Sequence, residues 1–515
     1  MNNARTRRLT ATFCALTIVT SSVLLCACRR AAGPEAAAPA PPPPADDNVV
    51  LISVDTLRAD RLNCYGYEAR KTSPHIDAFA ADAILFENHA AASPWTTPTH
   101  MSLFTSLYPC QHGLTQPFGD LMDNLLSGGQ FNKLPEERVT LAEILKDNGY
   151  ATGAFTAGAA VDPKIGFGQG FIVYDTSMYK LGEANMEEMF GWLDRNSLGK
   201  FFLFWHNFEV HAPYLEADFL EDVLPSETAA QIRPGLEEIK KGLIEFNPNV
   251  AERQKFKDQM TTLLGRHGAL TRDVCETLYT GGVLSFDRWF GQFVQYLRDK
   301  DLYDNTMIIL TSDHGEEFGD RDPETFYGGH GHTLYEEIIR VPLIIKLPRQ
   351  QYAGTRISAN VRTIDIMPTI LDVLRRAPSR HDMKGVTLRA IWEGAEADSS
   401  RVALSESLIE PQEQKSIRVD QYKLIVTVDS ETVAEHGRCY LPDEPAAVEL
   451  YDLQADPLEK NNLLAGDPEQ RLRDLASSFE TSLRDRLSEE EGEADQVDLD
   501  YETLERLRQM GYIQD

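Results

Sequence analysis

The feature that most constrains how this chain folds is a series of short, unbroken apolar runs, three of them followed closely by acids or histidines. Residues 48–54 (NVVLISV), 151–156 (ATGAFT), 201–205 (FFLFW), 307–310 (MIIL) and 341–345 (VPLII) lack the polar alternation of a strand with one wet face. Each therefore reads as a strand buried on both faces of a parallel sheet. Helical patterns lie between them, at 141–148 with Gly149 as the stop and at 286–300. Strand then helix, repeated, predicts an α/β fold, a doubly wound and mostly parallel sheet flanked by helices with right-handed crossovers. Such sheets bind ligands beyond the carboxyl ends of their strands. Asp55 follows the first run, His206, Glu209 and His211 follow the third, and Asp313 with His314 follow the fourth. One such residue alone reads as a helix cap or a satisfied histidine. Three strand ends carrying metal-type ligands together point to a metal-assisted site.

Charge narrows the partners. Fifty Lys plus Arg against 80 Asp plus Glu leave a formal charge of −30, which excludes a general nucleic-acid binder, because phosphate-tracking surfaces need clustered cations. An anionic substrate must then be met locally, by a metal or a few cations. The chain opens with a targeting segment: Arg5, Arg7 and Arg8 precede a mostly apolar stretch from 9 to 25, and Leu25-Cys26-Ala27-Cys28 closes it. This resembles a bacterial lipobox, so residues 1–27 are expected to be removed and Cys28 lipidated, anchoring the protein to a membrane of the cell envelope. An uncleaved membrane anchor is the alternative, although the stretch is short of the roughly 20 residues a span needs. Residues 28–47, rich in Pro and Ala, read as an extended tether.

A catalytic domain is expected over 48–396, with a helical insertion at 215–277 in which Pro225, Pro234 and Pro248 act as breaks. The insertion reads equally as a lid that shapes substrate choice or as a cover for the sheet. A smaller α+β subdomain is expected over 397–515, with strands at 416–419, 422–427 and 449–452 and an acidic, exposed segment at 489–500. Cys64, Cys110, Cys275 and Cys439 allow one bridge, with the pairing open. No oligomeric state is assigned.

Four segments carry a family resemblance. Residues 55–66 (DTLRADRLNCYG), 93–113 (SPWTTPTHMSLFTSLYPCQHG), 311–316 (TSDHGE) and 329–336 (GHGHTLYE) resemble the sulfatase branch of the alkaline phosphatase superfamily, and 360–372, 449–457 and 507–513 agree in the same order. The resemblance puts the nucleophile at Thr96. Sulfatases proper carry Cys or Ser there, oxidised to formylglycine, with Arg four residues on; this chain has Thr96 and His100. A hydrated aldehyde expels sulfate by collapsing to the carbonyl, which Thr cannot do, whereas phosphothreonine can be displaced at phosphorus by water or an alcohol. Thr96 also suits the cap of a helix starting near Pro98, which is compatible with the nucleophile role.

The resemblance further implies metal ligands Asp55, Thr96, Asp313 and His314. Sulfatases use Asp-Asp and Asp-Asn pairs suited to Ca²⁺; here the pairs are Asp55-Thr56 and Asp313-His314, and the imidazole favours Zn²⁺ or Mn²⁺. The lysine expected near the Tyr335-Glu336 pair is replaced by Gly331, flanked by His330 and His332. His100, Glu209, His211, His330 and His332 are assigned to substrate binding, with a second metal as the alternative for the last four. His112 and His206 are read as structural, and Arg58 with Asp60 as holding the Asp55 loop. The function implied is a metal-dependent hydrolase or transferase acting on phosphate, phosphonate or sulfate esters at the envelope. The alternative is a catalytically silent lipoprotein that binds a partner through the same fold.

Overall fold

The computed structural model describes residues 46–115, 130–157, 159–176, 183–246, 250–321, 329–376, 383–395, 402–408, 412–487 and 495–498. The leader, Cys28, nearly all of the tether and most of the acidic segment lie outside the described residues. The strands in chain order are β1 (Asn48–Val54), β2 (Ile84–Ala90), β3 (Gln130–Lys133), β4 (Ala151–Phe155), β5 (Val173–Asp175), β6 (Phe201–Asn207), β7 (Thr306–Thr311), β8 (Arg340–Lys346) and β9 (Thr355–Arg362). They are followed by β10 (Ala403–Ser407), β11 (Gln412–Val419), β12 (Tyr422–Asp429), β13 (Ala447–Asp452) and β14 (Asp495–Asp498). Eight of them form one sheet in the order β5-β4-β6-β1-β7-β8-β2-β9, and β3 pairs with β14 in a separate ribbon.

The apolar runs are continuous because each strand serves two cores. Val50, Ile52 and Val54 of β1 face one with Leu203, Trp205 and Phe286. Val49 and Leu51 face the other with Met101, Phe202 and Phe204. β1 runs parallel to β6 and β7, and β4 parallel to β6. The run at 341–345 is a correction: β8 is antiparallel to both β7 and β2. An unbroken apolar run reports burial on both faces, not the direction of its neighbours.

The insertion is helical, over Ser226–Phe246 and Val250–Arg266. Pro234 does not break it but lies inside the first helix. A proline there costs about 3 kcal/mol. It is offset by the buried stripe of Ile232, Leu236, Ile239 and Leu243 against Met260 and Leu264, each side chain contributing about 1.5–3 kcal/mol. The long helix Arg272–Asp299 then returns across the sheet and buries Phe286, Phe290 and Phe293. Among the described residues no helix is long and apolar enough to cross a membrane.

The C-terminal part is an antiparallel sheet in the order β10-β11-β12-β13, packed on the helix Gln470–Leu487 through Phe479 and Leu483. β10 also runs beside the segment that precedes Thr96: Glu406 N–H donates to Ala92 O at 2.9 Å and Ser93 Oγ to Glu406 O at 2.8 Å. A Cys110–Cys439 disulfide ties the two parts together, while Cys64 and Cys275 are free.

Candidate active site

Strand ends from three parts of the sequence meet here because β6, β1 and β7 are adjacent and parallel. Asp55 N–H continues the β1 ladder onto Asn207 O at 2.9 Å, and the chain then turns sharply at Thr56, whose φ is 62°. Thr56 Oγ1 folds back onto Asp55 O at 2.7 Å. Arg58 locks the turn: its guanidinium holds Asp60 at 2.8 Å, Asp320 at 2.9 Å and the Glu316 carbonyl at 3.0 Å, binding the loop after β1 to the loop after β7. Arg58 and Asp60 are therefore fastenings. Thr96 opens the helix Thr96–Thr105, every residue of which is buried. His112 supports its first turn through Nε2 to Pro98 O at 3.1 Å.

At the centre, Thr96 Oγ1 is 3.4 Å from Asp55 Oδ2 and 3.3 Å from His314 Nε2. His314 Nε2 is in turn 3.3 Å from Asp313 Oδ2 and 3.7 Å from Asp55 Oδ1. The tautomer of His314 is set by the backbone, since Nδ1 donates to Gly315 O at 2.9 Å and leaves a lone pair on Nε2. Asp55, Asp313 and His314 thus turn acceptors toward one another in a fully buried space, with Asp55 Oδ1 and Asp313 Oδ2 lacking hydrogen-bond partners. Burial, then the Asp313 charge, push the Asp55 carboxyl up to about 8. Asp313 stays below its ordinary range despite burial, because His314, His100 and His206 surround it. Ligands bound at about 2.1 Å in a tetrahedral arrangement sit about 3.4 Å apart, so the spacing and the donor set both fit one divalent metal ion.

The four ligands expected from sequence are brought together. Around them, the His330 ring lies tilted against His314 with ring centroids 4.2 Å apart and is held by Glu316 at 3.1 Å, and His211 meets His330 edge-on at 5.3 Å. These two imidazoles form a column leading outward. The other assigned substrate contacts are placed differently. His100 is 1% exposed, with Nδ1 on Thr96 O at 2.9 Å and Nε2 on Ser53 Oγ at 2.9 Å, so it positions the Thr96 helix from behind. Glu209 turns to the helix Arg272–Asp299, accepting from Ser285 Oγ at 2.6 Å. His332 pairs with Glu317 at 2.7 Å and is half exposed. The insertion reaches this edge, where Leu243 shares a small recess with Phe208, Glu209 and His211.

His206, read from sequence as structural, lies in the centre with Nε2 3.4 Å from Asp55 Oδ2. The signal that could have found it is positional: the strand carrying it neighbours β1 in the sheet, in a register that pairs His206 with Ser53, two residues short of Asp55.

The sulfatase family model matches residues 47–375, and the C-terminal model of N-sulphoglucosamine sulphohydrolase matches 330–489. An ulvan-active sulfatase of Formosa agariphila is 25% identical over 464 residues, covering 86% of this chain and 81% of its own. The multifunctional alkaline phosphatase superfamily protein PehA of Trinickia caryophylli is 26% identical, covering 82% of this chain and 91% of its own. The solved phosphonate monoester hydrolase of Agrobacterium radiobacter shares the fold, with a TM-score of 0.59 at 21% identity over 86% of this chain and 96% of its own. With one family model spanning the whole eight-stranded sheet and every strand end that converges on Thr96, the chain belongs to the sulfatase family and is one of its ester hydrolases.

Proposed function

We propose that the protein is a divalent-metal-dependent hydrolase or transferase of phosphate and phosphonate esters, with Thr96 as its nucleophile. The observation that carries this reading is that Thr96 Oγ1 lies 3.4 Å from Asp55 Oδ2 and 3.3 Å from His314 Nε2, against the buried acceptors formed by Asp55, Asp313 and His314. A zinc or manganese ion held by those residues would lower the hydroxyl pKa and offset the two buried carboxylates. Asp55 Oδ2 and His314 Nε2 are the acceptors nearest the Thr96 proton, at 3.4 and 3.3 Å. The amino end of the helix Thr96–Thr105 faces the anionic group, and its dipole favours that charge. His330 and His211 are the imidazoles available to the non-bridging oxygens, in place of the lysine of sulfatases proper.

In the first step the bond from Thr96 Oγ1 to phosphorus forms as the ester bond to the alcohol breaks, and the alcohol leaves with a proton. In the second, water or an acceptor alcohol attacks phosphorus and frees Thr96. Sulfate esters are the second reading, favoured by the sulfatases among the relatives. The missing aldehyde precursor argues against them, since a sulfated Thr would have to be hydrolysed at sulfur. A complete ligand set argues against a silent binding protein. Leu243, in the recess beside Phe208 and His211, supports the insertion as a shaper of substrate choice. Cys28 and the tether support an envelope location with a lipid anchor, and the Cys110–Cys439 bridge suits an oxidising compartment.

The test compares 4-nitrophenyl phosphate, phenylphosphonate and sulfate as substrates. Thr96→Ser should keep substantial phosphonate turnover, and Thr96→Ala should lose roughly 10³-fold or more. Sulfate turnover above the other two in the wild type would overturn the assignment.

A further inference from the structure

We infer that His206 is a ligand of the same cation, a third-strand donor that replaces the oxygen ligand lost at Thr56. The inference rests on the metal-assisted reading above and asks more of it. His206 is fully buried, and its Nδ1 lies 2.6 Å from Ala157 O, an acceptor only, so Nδ1 carries the proton. Nε2 is left with its lone pair, has no hydrogen-bond partner and points at Asp55 Oδ2 from 3.4 Å. Two lone pairs facing each other in a space closed to water are repulsive unless something positive sits between them.

A proton is the weaker candidate. At 3.4 Å the contact is well outside the 2.7–2.9 Å typical of charge-assisted bonds, whichever of the two groups carries the proton. A metal ion accounts for the distance, because Asp55 Oδ2 stands equally far, 3.4 Å, from Thr96 Oγ1, the separation expected of ligands around one centre.

Thr56 supplies the second observation. It occupies the position where sulfatases proper place the second Asp of the first pair, yet its hydroxyl is bonded to Asp55 O at 2.7 Å and its backbone is turned at φ 62°. It offers no oxygen inward. His206, on the neighbouring strand and paired in register with Ser53, reaches Asp55 from the other side. The set becomes Asp55, Thr96, Asp313, His314 and His206, with two imidazoles rather than one.

Zinc-loaded full-length protein examined by X-ray absorption should show one zinc per chain with outer-shell scattering from two imidazoles. His206→Gln should lower the count to one and weaken zinc binding by roughly 100-fold, with the other ligands kept. One imidazole per zinc in the wild type, unchanged by His206→Gln, overturns the inference while leaving the metal-assisted reading intact. Two zincs with one imidazole each overturns it equally. Failure of the wild type to hold stoichiometric zinc or manganese overturns both. If His206→Gln fails to fold, the wild-type count decides alone: two imidazoles support the assignment and one overturns it.

Discussion

Gly315 tests whether the site depends on the close approach of the loop after β7 to the segment before β8. It follows His314 directly; its carbonyl fixes the His314 tautomer at 2.9 Å, and its N–H donates to Ile338 O at 2.6 Å. A Cβ added at this position would lie 2.0 Å from Glu337 O and 3.1 Å from Arg58 Cγ. Backbone cannot swing aside as the end of a side chain can, so the loop must retreat by about 1 Å to restore ordinary contact. Overpacking of this kind costs about 1–3 kcal/mol. The functional loss should be larger than the stability loss suggests, since a displacement of about 1 Å at reacting groups costs roughly 10²-fold in rate. Gly315→Ala should therefore remain folded, lose about 1–3 kcal/mol in chemical denaturation, and fall roughly 100-fold in kcat/KM with weaker zinc binding. Gly291→Ala is the control: a Cβ there would meet the His75 ring at 2.6 Å, in a helix crossing that contributes nothing to the site. It should lose stability with kcat/KM and zinc affinity unchanged. Gly315→Ala within twofold of the wild type in both would refute the reasoning.

Three further outcomes can be measured. Burial and the Glu216 charge push Glu209 up to about 7 from an ordinary 4.5, so the native protein keeps a proton that the unfolded chain has released. Stability should fall as pH rises from 4.5 toward 7. Glu209→Gln should then raise the melting temperature at pH 8 and leave it unchanged at pH 5; an equal shift at both would remove the titration from the account. His314→Ala should lower zinc or manganese content and activity together, and a stoichiometric Ca²⁺ unaffected by the change would contradict the imidazole-based choice of metal. Cys28→Ala should block lipidation and move the protein out of the membrane fraction, whereas unchanged processing and fractionation would exclude the anchor.

Much of the sheet was legible because burial on both faces leaves an unbroken apolar run, as at 48–54 and 201–205. β2, with Glu87, Asn88 and His89 in its second half, carries no such run and is held by pairing with β8 and β9. The direction of β8 was illegible for a related reason: pairing partners are a property of the assembled sheet. Asp55, Asp313 and His314 could be grouped from sequence because strand ends and a family resemblance both mark them, and Thr96 joined them through the resemblance alone. His206 could not, since its place beside Asp55 comes from which strands are neighbours and its tautomer from a carbonyl, Ala157 O. His100 and Glu209 show the converse. Their residue types suit a substrate, but a 2.9 Å bond to Ser53 and a 2.6 Å bond from Ser285 turn them to other tasks.

The central claim is that Thr96 is a covalent nucleophile in phosphoryl transfer. Its most direct test is rapid acid quench of the full-length enzyme during turnover of a phosphate monoester, followed by mass analysis of the peptide containing Thr96. That peptide should be heavier by one phosphoryl group, with the modification on Thr96 and absent from Thr96→Ala. An unmodified Thr96 peptide at every quench time, in an enzyme turning over at full rate, would contradict it.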